Sequence, residues 1–228
     1  MVRSIVLATI ALLTGSALAA DSPKDTVTAA AKKLGDAANY SWKTTSEFGG
    51  QARGGSEGKT EKDGFTVLTF TFGDNTTEVY IKGTKGAIKT ADGWQSLDEA
   101  AKAEQGPGRF VGRMAQTFKA PAAQAAELAA ATKELKQADD VISGDLTEEG
   151  AKNLMAFGGG RGGANAPAIT NAKGTVKFWV KDGVLTKMQY SVTGTRGDRD
   201  IDRSTTVEIK DVGTTKIAVP EEATKKMQ

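Results

Sequence analysis

Residues 174–192 read GTVKFWVKDGVLTKMQYSV, and the alternation within them decides the fold class. Val176, Phe178 and Val180 alternate with polar neighbours, and beyond Lys181-Asp182-Gly183 the set Val184, Met188, Tyr190 and Val192 does so again. A two-residue period belongs to a strand buried on one face, so the stretch is an antiparallel hairpin. Its loop fixes its register. A two-residue Asp-Gly turn pairs Val180 with Leu185 and sets Phe178 and Val176 against Lys187 and Gln189, which mixes the faces. A three-residue loop pairs Val180 with Val184 and Val176 with Met188 and gathers the apolar set on one side. The three-residue loop is therefore expected.

Working outward, the same period recurs on both sides of the chain. Tyr40, Trp42, Thr44, Ser46 and Phe48 alternate as one strand, followed at 49–55 by a glycine-rich loop or weakly specified edge. Residues 54–61 and 65–72 flank Lys62-Asp63-Gly64, the same turn tripeptide as in the first hairpin. Leu68, Phe70 and Phe72 share a face there and lie opposite Gly58, Ser56 and Gly54; small residues beneath aromatic ones leave room. Short strands at 76–82, 87–90 and 94–97 follow, each behind a turn signal, which is the pattern of an antiparallel meander. Towards the C-terminus, 194–202 reads as a charged connection, 204–210 and 215–219 as the last strands, and Pro220-Glu221-Glu222 as the start of a short helix.

Helical spacing governs the rest. Ser22-Pro23-Lys24-Asp25 has the chemistry of a helix start, and Val27, Ala30, Ala31, Leu34 and Ala38 recur at helical intervals behind it. Between the two meanders, 98–163 reads as a helical insertion: a turn at 98–104, then Phe110, Met114 and Phe118 on one stripe. Pro121 opens an alanine-rich helix carrying Leu128, Ala131, Leu135, Ala138 and Ile142. Asp145-Leu146-Thr147-Glu148 caps a further helix with Leu154, Met155 and Phe157, and GGGRGG at 158–163 reads as a mobile loop.

Composition removes whole classes of chemistry. The 228 residues include no cysteine and no histidine, so Ser-His and Cys-His nucleophile pairs, and zinc sites built on those side chains, are excluded. A formal charge of +2 with interspersed signs gives no basic field for nucleic acid. Arg3, the apolar run from Ile5 to Leu13 and Ala17-Leu18-Ala19 make 1–19 a secretory signal peptide, too short to span a bilayer that needs about 20 apolar residues. The mature chain, 20–228, is then expected in the periplasm or outside the cell, with no membrane segment, as one domain carrying the insertion.

Individual residues suggest little catalysis. Asp198, Asp200 and Asp202 alternate, but they lack the glycine and terminal glutamate of a calcium loop and are interrupted by Arg196, Arg199 and Arg203, so a solvated hairpin tip is expected and no metal. GGGRGG lacks the Gly-Lys-Ser/Thr of a phosphate cradle. No pair among the 28 Asp and Glu stands out as a glycosidase pair, so no catalytic residue, enzyme activity or cofactor is expected. Trp42, Trp94 and Trp179 fit either the lining of a ligand cavity or, as is commoner for such residues, core or rim packing, and Trp179 falls on the face opposite Phe178, an outer-face or edge position. The apolar residues of the insertion, Phe110, Met114, Phe118, Met155 and Phe157, fit either a lid over an apolar ligand or plain packing on the sheet. Alanine-rich helices bury little, so they lie either very close to the sheet or loosely enough to admit an apolar body.

The order helix, meander, insertion, second meander resembles the LolA-like superfamily, including its LppX/LprG branch. The likeness rests on Asp92-Gly93-Trp94, on Phe178-Trp179-Val180-Lys181-Asp182-Gly183 with Lys187 after it, and on Ile217-Ala218-Val219-Pro220. It implies an α+β fold in which a curved antiparallel sheet, an incomplete β-barrel, is covered on its concave face by helices. It also implies a non-enzymatic carrier of lipids or lipoprotein acyl chains, with a hydrophobic small molecule or acyl chain as ligand and an envelope lipoprotein as partner. On that reading Leu68, Phe70, Phe72, Phe178, Met188 and Tyr190 line the ligand space and the insertion residues form its lid. The alternative is an envelope structural or interaction protein with a filled core.

Overall fold

The computed structural model describes residues 22–72, 75–90, 93–103, 107–156 and 167–228. The signal segment, Asp92, Phe157 and the 158–163 loop lie outside the described residues. Helix α1 (Pro23–Asp36) leads into β1 (Asn39–Phe48), β2 (Gln51–Glu61), β3 (Thr66–Phe72), β4 (Asn75–Lys82), β5 (Lys85–Thr90) and β6 (Gly93–Ser96). Helices α2 (Leu97–Lys102), α3 (Pro107–Gln116) and α4 (Pro121–Ala130) follow, then β7 (Lys136–Ala138), β8 (Val141–Asp145) and α5 (Glu148–Ala156). Strands β9 (Ile169–Lys181), β10 (Val184–Arg196) and β11 (Arg199–Lys210) precede α6 (Glu221–Lys226).

All eleven strands form one antiparallel sheet in the order β6-β5-β4-β3-β2-β1-β11-β10-β9-β8-β7. The join is made by the first and last strands: Trp42 pairs with Ile209 and Thr44 with Val207, so two meanders far apart in sequence become continuous. The sheet does not close, since β6 and β7 are its edges. It curves, and one apolar cluster joins Ile88 in β5 to Ile142 in β8 across its inner face.

The hairpin of β9 and β10 departs from the expected register. Lys181 pairs with Val184 and Val180 with Leu185, so the loop is the two residues Asp182 and Gly183, both at positive φ (53° and 71°). Two successive left-handed residues match the twist of the flanking strands, which favours this tight turn. The mixing of faces that such a turn implies is cancelled by a bulge: Leu185 pairs with Val180 but Lys187 with Trp179, leaving Thr186 as an extra residue. Beyond it Met188 faces Phe178 and Tyr190 faces Val176, all four buried. The same tripeptide at 62–64 behaves otherwise. There Asp63 alone is left-handed (φ 56°), Glu61 N–H bonds Phe65 O at 2.9 Å, and the expected pairs Gly58–Leu68 and Ser56–Phe70 form.

Four other stretches differ from the sequence reading. The helix from Pro121 stops at Ala130; of the apolar stripe beyond it, Ala138 lies in β7 and Ile142 in β8, two strands that turn at Asp139 (φ 51°), β8 pairing with β9 and β7 with β8. Residues 51–55 are strand, because Gly49 and Gly50 (φ 56° and 73°) close a tight turn and the segment pairs with β1. Residues 194–202 are mostly strand as well, β10 and β11 meeting at Gly197-Asp198. Residues 215–219 are not a strand. Both sides of β11 are already paired, and Thr215 N–H is held instead by the Asn39 side chain at 2.7 Å.

Helix starts follow local chemistry. Ser22 caps α1 with Pro23 in the first turn, and Ser96 and Glu99 form a reciprocal capping box on α2. Helices α1 to α5 place Leu34, Leu97, Val111, Leu128 and Met155 in the inner-face cluster. Helix α6 lies on the other face, where Ala223 joins Tyr80 and Ala87 while their strand neighbours Val79 and Ile88 point inward. No helix among the described residues is long and apolar enough to cross a membrane.

Candidate functional site

Two of the cross-strand rows of the inner face carry most of the candidate residues of the strands. One runs Ile142, Phe178, Met188, Val207, Thr44, Ser56, Phe70; the other runs Trp42, Gly58, Leu68, Val79, Ile88. Small residues let the roof close tightly at its margins. A Cβ added at Gly194 would lie 2.7 Å from the Met155 methyl, and one at Gly174 would lie 2.8 Å from Leu146, so α5 and the chain before it rest directly on β9 and β10. A Cβ at Gly112 would lie 3.3 Å from that of Ala100, bringing α2 close against α3, while one at Gly35 would make an ordinary 3.5 Å contact with Ala122 between α1 and α4.

The middle is different. Helix α4 packs chiefly on α1 and reaches the sheet through long side chains: Gln124 Nε2 donates to the Tyr190 hydroxyl at 3.2 Å, and the backbone N–H of Ala122 donates to the Tyr40 hydroxyl. Burial, opposed by that bond, pushes the Tyr40 phenol up to about 12. Just before α4, Phe118 stacks on Trp42 with centroids 5.8 Å apart and planes at 10°. On the inner face of the central strands β1 and β2 lie Thr44, Ser46 and Ser56. They are only half-buried, whereas Val207, Met188 and Phe178 on the same face are at 2%, 0% and 0% exposure. Thr205 is buried beside Ser46, their hydroxyls 3.5 Å apart.

No family model matches the chain, and no curated protein matches it. Among solved structures it is similar to LprF from Mycobacterium bovis, at a TM-score of 0.45 and 10% identity over 88% of this chain and 97% of that one. It is also similar to the LolA superfamily protein NE2245 from Nitrosomonas europaea, at a TM-score of 0.35 and 8% identity over 87% and 96% of the two chains. The fold is established by its own strand order and registers rather than by these overlaps.

The residues singled out in the sequence separate into three groups. Leu68, Phe70, Met155, Phe178, Met188 and Tyr190 are buried in the inner-face cluster, which brings the two hairpins and α5 together. Met114 and Phe118 pack against it half-buried, Phe118 lying beyond the end of α3. Phe110 stands apart at 43% exposure. The side chain of Phe72 and the whole of Phe157 are outside the described residues. Trp179 is on the outer face as expected, with the Lys187 ammonium 5.0 Å from its ring centre, and Trp94 meets Tyr80 under α6.

Two residues were read only as charge and have a structural task. Arg203 donates to the carbonyl of Leu154, and Arg196 to that of Met155 at 2.6 Å, so two strand arginines satisfy the last carbonyls of α5. Burial lowers the Arg203 pKa from the ordinary guanidinium value, and the neighbouring Arg196 adds to this while Tyr190 opposes it. Their place in an alternating strand was the available signal, masked by the charges around them. No group of three or more carboxylates suited to a metal occurs among the described residues.

Proposed function

We propose that this protein is an exported carrier that holds an apolar ligand, a lipid or acyl chain, between the inner face of the sheet and helices α1 to α5. The observation that carries this reading is the half-buried set Thr44, Ser46 and Ser56 on the inner face of β1 and β2, in the middle of the strand order. In a filled core the central strands are the most deeply buried, so accessible short side chains there favour a hollow. Leu68, Phe70, Met114 and Phe118 would supply its apolar walls and the hydroxyl row a polar end, a division that suits an amphiphile. Affinity would come from chain burial at about 0.8 kcal/mol per CH₂, with no bond made or broken. An acylated envelope lipoprotein fits as the source or recipient of the ligand.

Organic extraction and mass spectrometry of the purified protein test this directly. A released lipid is expected; a clean extract together with no binding of a fluorescent fatty acid would overturn the reading. One observation favours a second reading, an envelope interaction protein with a filled core: the space above Gly58 is occupied by the Trp42 indole, itself covered by Phe118.

A further inference from the structure

Three large apolar side chains are prominently exposed among the described residues: Phe48, Phe110 and Val212. Phe48 follows Glu47 and Val212 follows Asp211, each in a mixed-charge setting. Phe110 differs, because α3 (PGRFVGRMAQ) carries two arginines and no carboxylate. The buried side of α3 is Val111, Gly112 and Ala115; its outward side is Phe110, Arg113 and Gln116, with Arg113 one turn from the ring. Gly112 against Ala100 and the 3.0 Å bond from Gln116 to Asp98 set α2 and α3 antiparallel. That arrangement brings exposed Lys102 to the Phe110 end and leaves Asp98 and Glu99 at the far end. There Asp98 is bonded by Gln116 and Glu99 is bound into its capping box. An exposed aromatic ring with cations around it and no carboxylate on its helix is complementary to an interface of acyl chains beneath negative headgroups.

We infer that the outward face of α3, Phe110 with Arg113 and Lys102, docks on a membrane surface rich in anionic lipid. Phe110 enters the headgroup boundary while the two cations meet phosphates. Met114, one turn further along, continues the apolar stripe towards the Phe118–Trp42 stack. The docking face is an outer surface and needs no bound ligand.

Co-sedimentation of the full chain with phosphatidylcholine vesicles, with and without phosphatidylglycerol, tests it. Binding to the anionic vesicles only is expected, weakening as salt is raised. Phe110→Ser should weaken it about tenfold or more, Arg113→Glu about tenfold, and Phe48→Ser not at all. Equal binding to neutral vesicles, no binding to either, or binding that survives both α3 variants overturns the inference. So does a dimer in size-exclusion chromatography that Phe110→Ser dissolves, which would make a second copy the occupant. Should Phe110→Ser fail to give a cooperative melt, Arg113→Glu decides alone. Extraction of the same samples reads the cargo separately: a clean extract with vesicle binding intact removes the carrier reading and leaves the docking face standing.

Discussion

The indole of Trp42 lies over Gly58, its cross-strand neighbour in β2, so closely that a Cβ at Gly58 would fall inside the ring's van der Waals surface. Tyr40, 5.7 Å away on one side, and Phe118, stacked on the other, leave the indole no route of retreat. Gly58→Ala should therefore destabilise the protein by about 1–3 kcal/mol, the cost of overpacking a well-filled site. Urea unfolding measures it, and a change below about 0.5 kcal/mol would mean the indole moves freely.

Thr186 is the extra residue of the bulge that restores the apolar face after the Asp182-Gly183 turn. Its deletion joins Leu185 to Lys187 in continuous register with Val180 and Trp179, so the fold should survive. The loss should be about 1 kcal/mol, since the hydrogen bond from Thr186 to the Trp179 carbonyl disappears. Deleting Gln189 instead shifts Tyr190 and Val192 to the outer face and should abolish cooperative melting. Thermal denaturation of the two deletions separates these outcomes.

Stability at high pH should depend on Tyr40. Below pH 10 both folded and unfolded chains carry a neutral phenol and its contribution is complete. Above pH 10 the unfolded chain ionises first, so stability falls until the folded-state value near 12 is reached. The loss over this window is about 3 kcal/mol. Tyr80, also raised, chiefly by burial, remains in the variant Tyr40→Phe, which should show a shallower but not flat decline in urea midpoints.

Ser56 distinguishes an open hollow from a filled core. Ser56→Leu places a branched side chain on the inner face beside Phe70. In a hollow it should lower the capacity for a fluorescent fatty acid and change stability by under about 1 kcal/mol, whereas in a filled core it should cost about 1–3 kcal/mol. Phe118→Ala should act in the opposite sense on capacity, by opening the space over Trp42. Titration with the probe and urea melts of both variants give the answer.

Much of the sheet was legible because alternation is local: β1, β3 and the Gly58–Leu68 register follow from residues within a few positions of one another. The β9–β10 turn was misread because a three-residue loop and a two-residue turn plus a bulge satisfy the same burial pattern. The segment after Ala130 was misread because Leu128, Ala131, Leu135, Ala138 and Ile142 keep helical spacing. The Asp139-Asp140 doublet before Val141 was the turn signal that outweighed it. Of the candidate site, alternation gave the face of the apolar members and of Thr44, Ser46 and Ser56 alike, but the incomplete burial of the three hydroxyl residues was not legible, since short polar side chains carry no burial signal of their own.

By itself the sequence determined two antiparallel meanders divided by helices, an inner face carrying Phe178, Met188, Leu68 and Phe70, and a chain without histidine or cysteine chemistry. Tertiary structure alone decided that β1 pairs with β11, that β7 and β8 extend the sheet, and that α4 packs on α1 and meets Tyr40 and Tyr190. The physical reason is range. Strand periodicity and helix caps are set by neighbours along the chain, whereas which edges meet and how far a helix stands from a sheet depend on side chains more than a hundred residues apart finding room for one another.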